Sequence, residues 1–99
     1  MLNICKKAEK EAVFITLEGR LDTTTAPDLE KELKSSLEGV TSLILDLEKL
    51  DYISSAGLRV LFAAHKAMSP CGEMKLIHVN EPVMDIFNVT GFTNFLNIE

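Results

Sequence analysis

Two serines stand side by side at positions 54 and 55, inside the stretch KLDYISSAGLRVL that runs from Lys49 to Leu61. A serine hydroxyl can act as a nucleophile, cap a helix or accept a phosphate. Nucleophilic catalysis needs a base within reach and a sharp turn, such as GxSxG, that exposes the hydroxyl. Neither serine lies in such a motif, and the only imidazoles in the chain are His65 and His78. His65 falls on an apolar helical stripe and His78 inside a strand-like run, beside Ile77 and Val79; both places suit packed structural residues. The acidic residues are scattered, and Glu30, Lys31, Glu32 and Lys34 read as a solvated helix face. Gly57 and Gly72 stand alone, so no glycine loop cradles a phosphate. Cys5 and Cys71 are too few for a disulfide framework or a metal site and read as free thiols in a reducing compartment. The expectation is a chain that is not an enzyme and carries no metal or cofactor of its own.

A serine that opens a helix offers its oxygen to the first unbonded backbone N–H groups. The same position tolerates an added phosphate, because those N–H groups and the positive end of the helix dipole favour an anion. A phosphoserine carries roughly −1.5 to −2 charges at pH 7. Arriving there, it would leave the fold intact and change the surface, which suits a binding switch. The residues alone leave capping and signalling both open.

The surrounding pattern predicts what positions the pair. Leu2–Cys5 alternates as a short strand, and Glu11–Glu18 reads as a second strand ended by Gly19. The polar link between them, KAEKE, predicts a hairpin. A helix follows from Thr25, which can cap it, with Pro27, Asp28 and Glu30 in its opening residues. Ala26, Leu29, Leu33, Leu37 and Val40 form its buried stripe, and Gly39 stops it. Ser42–Leu47 (SLILDL) predicts a central strand covered on both faces. The loop Glu48–Ile53 leads to a second helix with Leu58, Leu61, Phe62, His65 and Met68 inward, broken at Ser69–Gly72. Met74–Val79 predicts another strand. Asn80 then caps a short helix with Pro82 in its first turn and Val83, Ile86 and Phe87 inward, ending at Thr90-Gly91. The tail from Phe95 to Ile98 reads either as a helical turn or as an edge strand. Strands alternating with helices after an N-terminal hairpin imply an α/β fold: a mixed β-sheet with its helices mainly on one face.

At 99 residues the chain fits one domain, residues 1–99, with a sizeable core. Fifteen acidic against ten basic residues leave a net charge of −5, which argues against nucleic-acid phosphates or an anionic membrane as the main partner. No apolar run approaches the roughly 20 residues of a membrane helix, and the N-terminus shows no export signal, so no membrane insertion and a cytoplasmic location are expected.

Three segments together resemble the STAS domain of bacterial anti-sigma factor antagonists. GRLDTTTAPDLEKEL resembles the family's G-x-L-D-x-x-x-A-x-x-L segment, and LILDLEKLDYISSAGLRVL its strand, D-L-x-x-L, aromatic and serine-turn signature. GEMKLIHVNEPVMDIFNVTGFTNFLNI resembles its closing segment. The resemblance covers almost the whole chain and implies a small single-domain STAS-like fold. It also implies partner switching. The unphosphorylated antagonist binds an anti-sigma factor that is an ATP-dependent serine kinase, which releases a sigma factor to RNA polymerase. Phosphorylation of one serine ends that binding, and a PP2C-type, metal-dependent phosphatase restores it; ATP and metal belong to those partners. Aligned on Gly57, the family's phosphoacceptor falls on Ser55. The residue before it is often Asp and here is Ser54; the residue after it is commonly Ser or Thr and here is Ala56. Ser54 is then the expected cap, or a minor alternative acceptor. Asp22, Thr23 and Thr24 fall in the family's "L-D" loop, which with Ser54, Ser55, Ala56, Gly57 and Arg59 forms the expected partner surface. The alternative is a STAS subunit of another complex, such as a lipid-transport ATPase, with its serine unmodified.

Overall fold

The computed structural model describes residues 2–70, 72–94 and 96–99. Chain order is β1 (Leu2–Glu9), β2 (Ala12–Leu21), α1 (Ala26–Ser36), β3 (Ser42–Ile53), α2 (Ser55–Met68), β4 (Glu73–Ile77), α3 (Glu81–Thr90), a 3-10 turn (Phe92–Asn94) and β5 (Asn97–Ile98). The sheet runs β1-β2-β3-β4-β5. Only the first pair is antiparallel, a hairpin with Glu9 opposite Ala12 and Lys10 at φ 54 in the turn. The later neighbours are parallel. Each parallel step moves one place in the same direction through a helix. Right-handed crossovers that keep stepping one way lay their helices on the same face.

Burial follows from that. In β3 Leu43, Leu45 and Leu47 are fully covered, whereas the alternating Ser42, Ile44 and Asp46 are only half-buried. The expectation of a central strand covered on both faces is therefore corrected: with all helices on one side, the run SLILDL is covered once. Phe14, paired with Ile44 on the other face, stays 43% exposed. The core lies between sheet and helices and joins Ile15, Leu17, Leu29, Leu61, Leu76 and Phe87 with their neighbours. Burying this much apolar surface supplies the main drive to fold.

Several expected boundaries move. β1 and β2 each run longer than predicted, because hairpin pairing continues through the polar link and because β2 passes Gly19 (φ 110) to reach Leu21. The predicted loop Glu48–Ile53 is strand. Two register shifts against β2 put extra residues into β3, so its buried positions fall at Leu47, Leu50 and Ile53, spaced by three instead of two. α1 ends at Ser36; Leu37 closes it and is half-buried, and Gly39 (φ 76) follows in the connection to buried Val40. On α2, Leu58, Leu61 and Met68 are buried as expected, but Phe62 is 40% exposed while Gly57, Val60 and Ala64 are covered. The true inward stripe is rotated toward α1, which packs beside this helix. β4 stops at Ile77, so His78 is not in a strand: at φ 54 it is exposed, its Nδ1 3.1 Å from Asp46 Oδ2. Of the two readings of the tail, the edge strand is the one present, at Asn97–Ile98; the 3-10 turn lies just before the tail, at Phe92–Asn94. Cys5 is exposed and free. Met1, Cys71 and Phe95, including the Cys71 thiol and the Phe95 start of the tail, lie outside the described residues.

Candidate functional site

The last rung between β2 and β3 pairs Leu21 with Ile53. Parallel strands send their chains out at the same edge, so the residues after Leu21 and after Ile53 emerge side by side. This edge is the usual place for sites in α/β sheets. Ser54 N–H donates to Leu21 O at 2.9 Å and ties the two exits together. Ser54 has extended backbone (φ −98, ψ 176) and its Oγ accepts from Gly57 N–H at 3.4 Å, while its carbonyl accepts from Leu58 N–H at 2.9 Å. Ser54 is thus the cap, as expected. Ser55 is the first residue of α2 and is exposed.

Gly57 lets this helix start close to the sheet. A Cβ there would meet Leu21 Cγ at 2.7 Å and Ile53 Cγ1 at 2.9 Å, both near the branch of a fully or almost fully buried side chain. Ala56 is half-buried beside it and Arg59 is exposed.

The neighbouring exit is a compact turn built on Asp22. Its Oδ1 accepts from Thr24 N–H (3.0 Å), Thr24 Oγ1–H (2.8 Å) and Thr25 N–H (3.2 Å). The Thr24 hydroxyl above all, with the two N–H groups, holds the Asp22 carboxyl below its ordinary pKa, against the opposing effect of partial burial. Thr25 does not cap α1 with its side chain. Its buried hydroxyl donates to Arg20 O at 2.8 Å and accepts from Asp22 N–H at 2.8 Å, bracing the turn itself. Thr23 and Thr24 stay exposed. Arg20 Nε lies 3.7 Å from Asp22 Oδ2, and its guanidinium is 4.5 Å from the centre of the Tyr52 ring.

Two surface recesses flank this edge. One, about 270 Å³, is lined by Ser55, Leu58, Arg59, Phe62 and Phe92. The other, about 380 Å³, runs between α1 and α2 past Thr23, Ala56 and Arg59 toward Glu30. The eight expected surface residues therefore converge on one edge, except that Gly57 is buried and acts through packing. Phe62 and Phe92 were missed. Phe62 was readable: Ser55, Arg59 and Phe62 fall at i, i+4 and i+7, one outward helical stripe. Phe92 was not, because a chain turn brings it in, stacked 6.4 Å from Phe87.

A sequence model of the STAS domain matches residues 3–99. BtrV of Bordetella bronchiseptica, provisionally named as an anti-sigma factor antagonist, is 36% identical over 84 residues, covering 83% of this chain and 72% of its own. The anti-sigma-B factor antagonist of Bacillus subtilis is 26% identical over 98 residues, covering 98% and 90%. Among solved structures, the unphosphorylated anti-sigma factor antagonist SpoIIAA superposes with a TM-score of 0.85 at 19% identity, covering 98% of this chain and 88% of that one. The phosphorylated form of SpoIIAA, a Bacillus cell-fate determinant, gives 0.76 at 18%, covering 98% and 91%. Those two likenesses show the fold.

Proposed function

Because this chain belongs to the STAS domain family, we propose that it is an anti-sigma factor antagonist, switched by phosphorylation of Ser55. The observation that carries the reading is the division of the serine pair: Ser54 is committed to the cap and the Leu21 tie, while Ser55 stands exposed one residue later. The names of the relatives support the antagonist role, and a relative solved in both phosphorylated and unphosphorylated forms supports the switch.

In this reading the unmodified edge, Asp22–Thr24 with Ser54–Gly57 and Arg59, binds an anti-sigma factor that is also a serine kinase, and a sigma factor is released. The kinase then passes the γ-phosphoryl group of its ATP to Ser55 Oγ. ADP leaves and the hydroxyl proton goes to a base on the kinase. The new dianion conflicts with a surface shaped for a neutral hydroxyl, and the complex separates. A PP2C-type phosphatase hydrolyses the phosphoester and resets the switch. This chain supplies a shaped, modifiable surface and no catalytic group, and it acts in the cytoplasm, where both enzymes and ATP are found. Among the described residues no helix is long and apolar enough to cross a membrane.

Incubation with the cognate kinase and ATP should add one phosphate, about 80 Da, to the protein and none to Ser55→Ala. Kinase affinity of the phosphorylated protein should fall about 10-fold or more, equivalent to about 1.4 kcal/mol. The far-ultraviolet circular dichroism should stay unchanged. A phosphate on another residue, or a complex indifferent to the Ser55 phosphate, would overturn the switch. Co-purification with a transport ATPase, with no phosphate on the protein in cells, would favour the subunit reading instead.

A further inference from the structure

We propose that Arg59 is an internal receptor for the phosphate on Ser55, its guanidinium binding the phosphoserine across one turn of α2. The proposal rests on phosphorylation of Ser55 as read above, and it adds what happens to that group afterwards.

Ser55 and Arg59 are related by i, i+4, which puts their Cβ atoms about 5–6 Å apart on one face. Helical side chains lean toward the N-terminus, so a long side chain at position 59 reaches back over position 55. In the fold both line the same recess of about 270 Å³, with Leu58, Phe62 and Phe92. Among the described residues Arg59 is the only cation lining that recess. Its side chain has no ion pair or hydrogen bond among the described residues, so no existing side-chain bond has to break. Lys66, two turns further along α2, is engaged over the Phe62 ring at 5.5 Å. A guanidinium also fits: its planar fork of donors matches two phosphate oxygens at once.

Neighbouring elements set three charges around this edge: Glu30, Asp22 and the cation Arg20 of β2, which is already engaged with Asp22 and with the Tyr52 ring. Glu30 of α1 lines the second recess with Arg59, and Asp22 holds the adjacent turn. Neither carboxylate can share a phosphate, so Arg59 is the cation lining the recess that is left to meet it, alongside the N–H groups that open α2. The first turn of α2 contains no acidic residue, whereas α1 has Asp28 and α3 has Glu81 there. Bound in this way, the phosphate and the guanidinium lie across the mouth of the recess. They withdraw Arg59 and the apolar floor of Leu58, Phe62 and Phe92 from a partner together. One modification thereby changes more surface than its own volume.

The test uses the full chain with phosphoserine incorporated at position 55 during translation, so that no kinase is required. Phosphorus NMR follows the second ionisation of the phosphate in the otherwise native protein, in Arg59→Gln and in Arg59→Lys. The native phosphate should hold its dianion to lower pH, with a second pKa about 0.5 unit below that of Arg59→Gln, a threefold difference in protonation equilibrium. Arg59→Lys should fall between them, and added salt should shrink the difference. The Arg59 guanidinium protons should shift and exchange more slowly only in the phosphorylated native protein. Identical titrations in native and Arg59→Gln proteins with matching amide spectra would overturn the receptor, whatever the kinase does. Failure of the kinase to modify Ser55 would count against the switch itself and leave this titration readable.

Discussion

α2 and α3 begin in nearly the same way and are used differently. Each follows a parallel strand, and each has an extended cap residue whose side chain accepts from the third helical N–H: Ser54 from Gly57 and Asn80 from Val83. Asn80 does more. Its amide nitrogen donates to the carbonyls of Leu47, Glu48 and Leu50 at 3.3, 3.3 and 2.7 Å, pinning α3 to the irregular end of β3. Its helix also brings its own acid, Glu81, next to the positive end. Ser54 makes one long side-chain bond and is followed by an exposed, uncharged hydroxyl. The α3 junction is saturated with bonds and charge; the α2 junction keeps a place for both. A structural start and a switchable start differ less in the cap than in what is left unfilled around it.

That contrast is tested most severely by Asn80→Ala. Losing the cap and the amide N–H bonds to three carbonyls should cost about 2–3 kcal/mol in urea unfolding. A cost as small as that of Ser54→Ala would erase the distinction. Gly57→Ala comes next. Alanine is the better helix former by about 1 kcal/mol, but contacts of 2.7 and 2.9 Å with Leu21 and Ile53 should cost about 2–3, leaving a net loss of about 1–2 kcal/mol. Ser54→Ala should cost under about 1 kcal/mol, given its 3.4 Å bond, and Ser55→Ala less than about 0.5. A large destabilisation by Ser55→Ala would mean that this hydroxyl is structural.

The smallest effect concerns acid. Asp22 has a lowered folded pKa, so its contribution is present above the unfolded carboxylate value near pH 4 and is lost as pH falls through the folded one. Asp22→Asn should therefore flatten the fall in stability below about pH 4 and leave the slope near pH 7 unchanged. An unaltered acid limb would show that the Thr24 and Thr25 bonds do not distinguish the ionised form.

Local pattern carried much of this structure. Apolar spacing located all three helices, and breakers placed their ends within a few residues, because a helix is built from near neighbours in sequence. The assignment of Ser54 to the cap followed from a resemblance and was met in the structure. The strand ends were harder. Glu48–Ile53 carries charges at three of its six positions, and its buried residues recur by three. Only the register shifts against β2 explain that period. His78 and Phe62 failed for a related reason: each was assigned by the apolar company it keeps along the chain, while its exposure depends on where the sheet stops and how α2 is rotated.

By itself, then, the sequence determined about where the helices start and that no acid stands in the first turn after the serine pair. Those are one-dimensional properties, decided by residues within a turn of each other. Tertiary structure decided that Asp22 and Ser54 are neighbours, that Gly57 has no room for a side chain and that Phe92 floors the Ser55 recess. These depend on the Leu21–Ile53 rung and on packing between residues more than thirty positions apart, which no local period records.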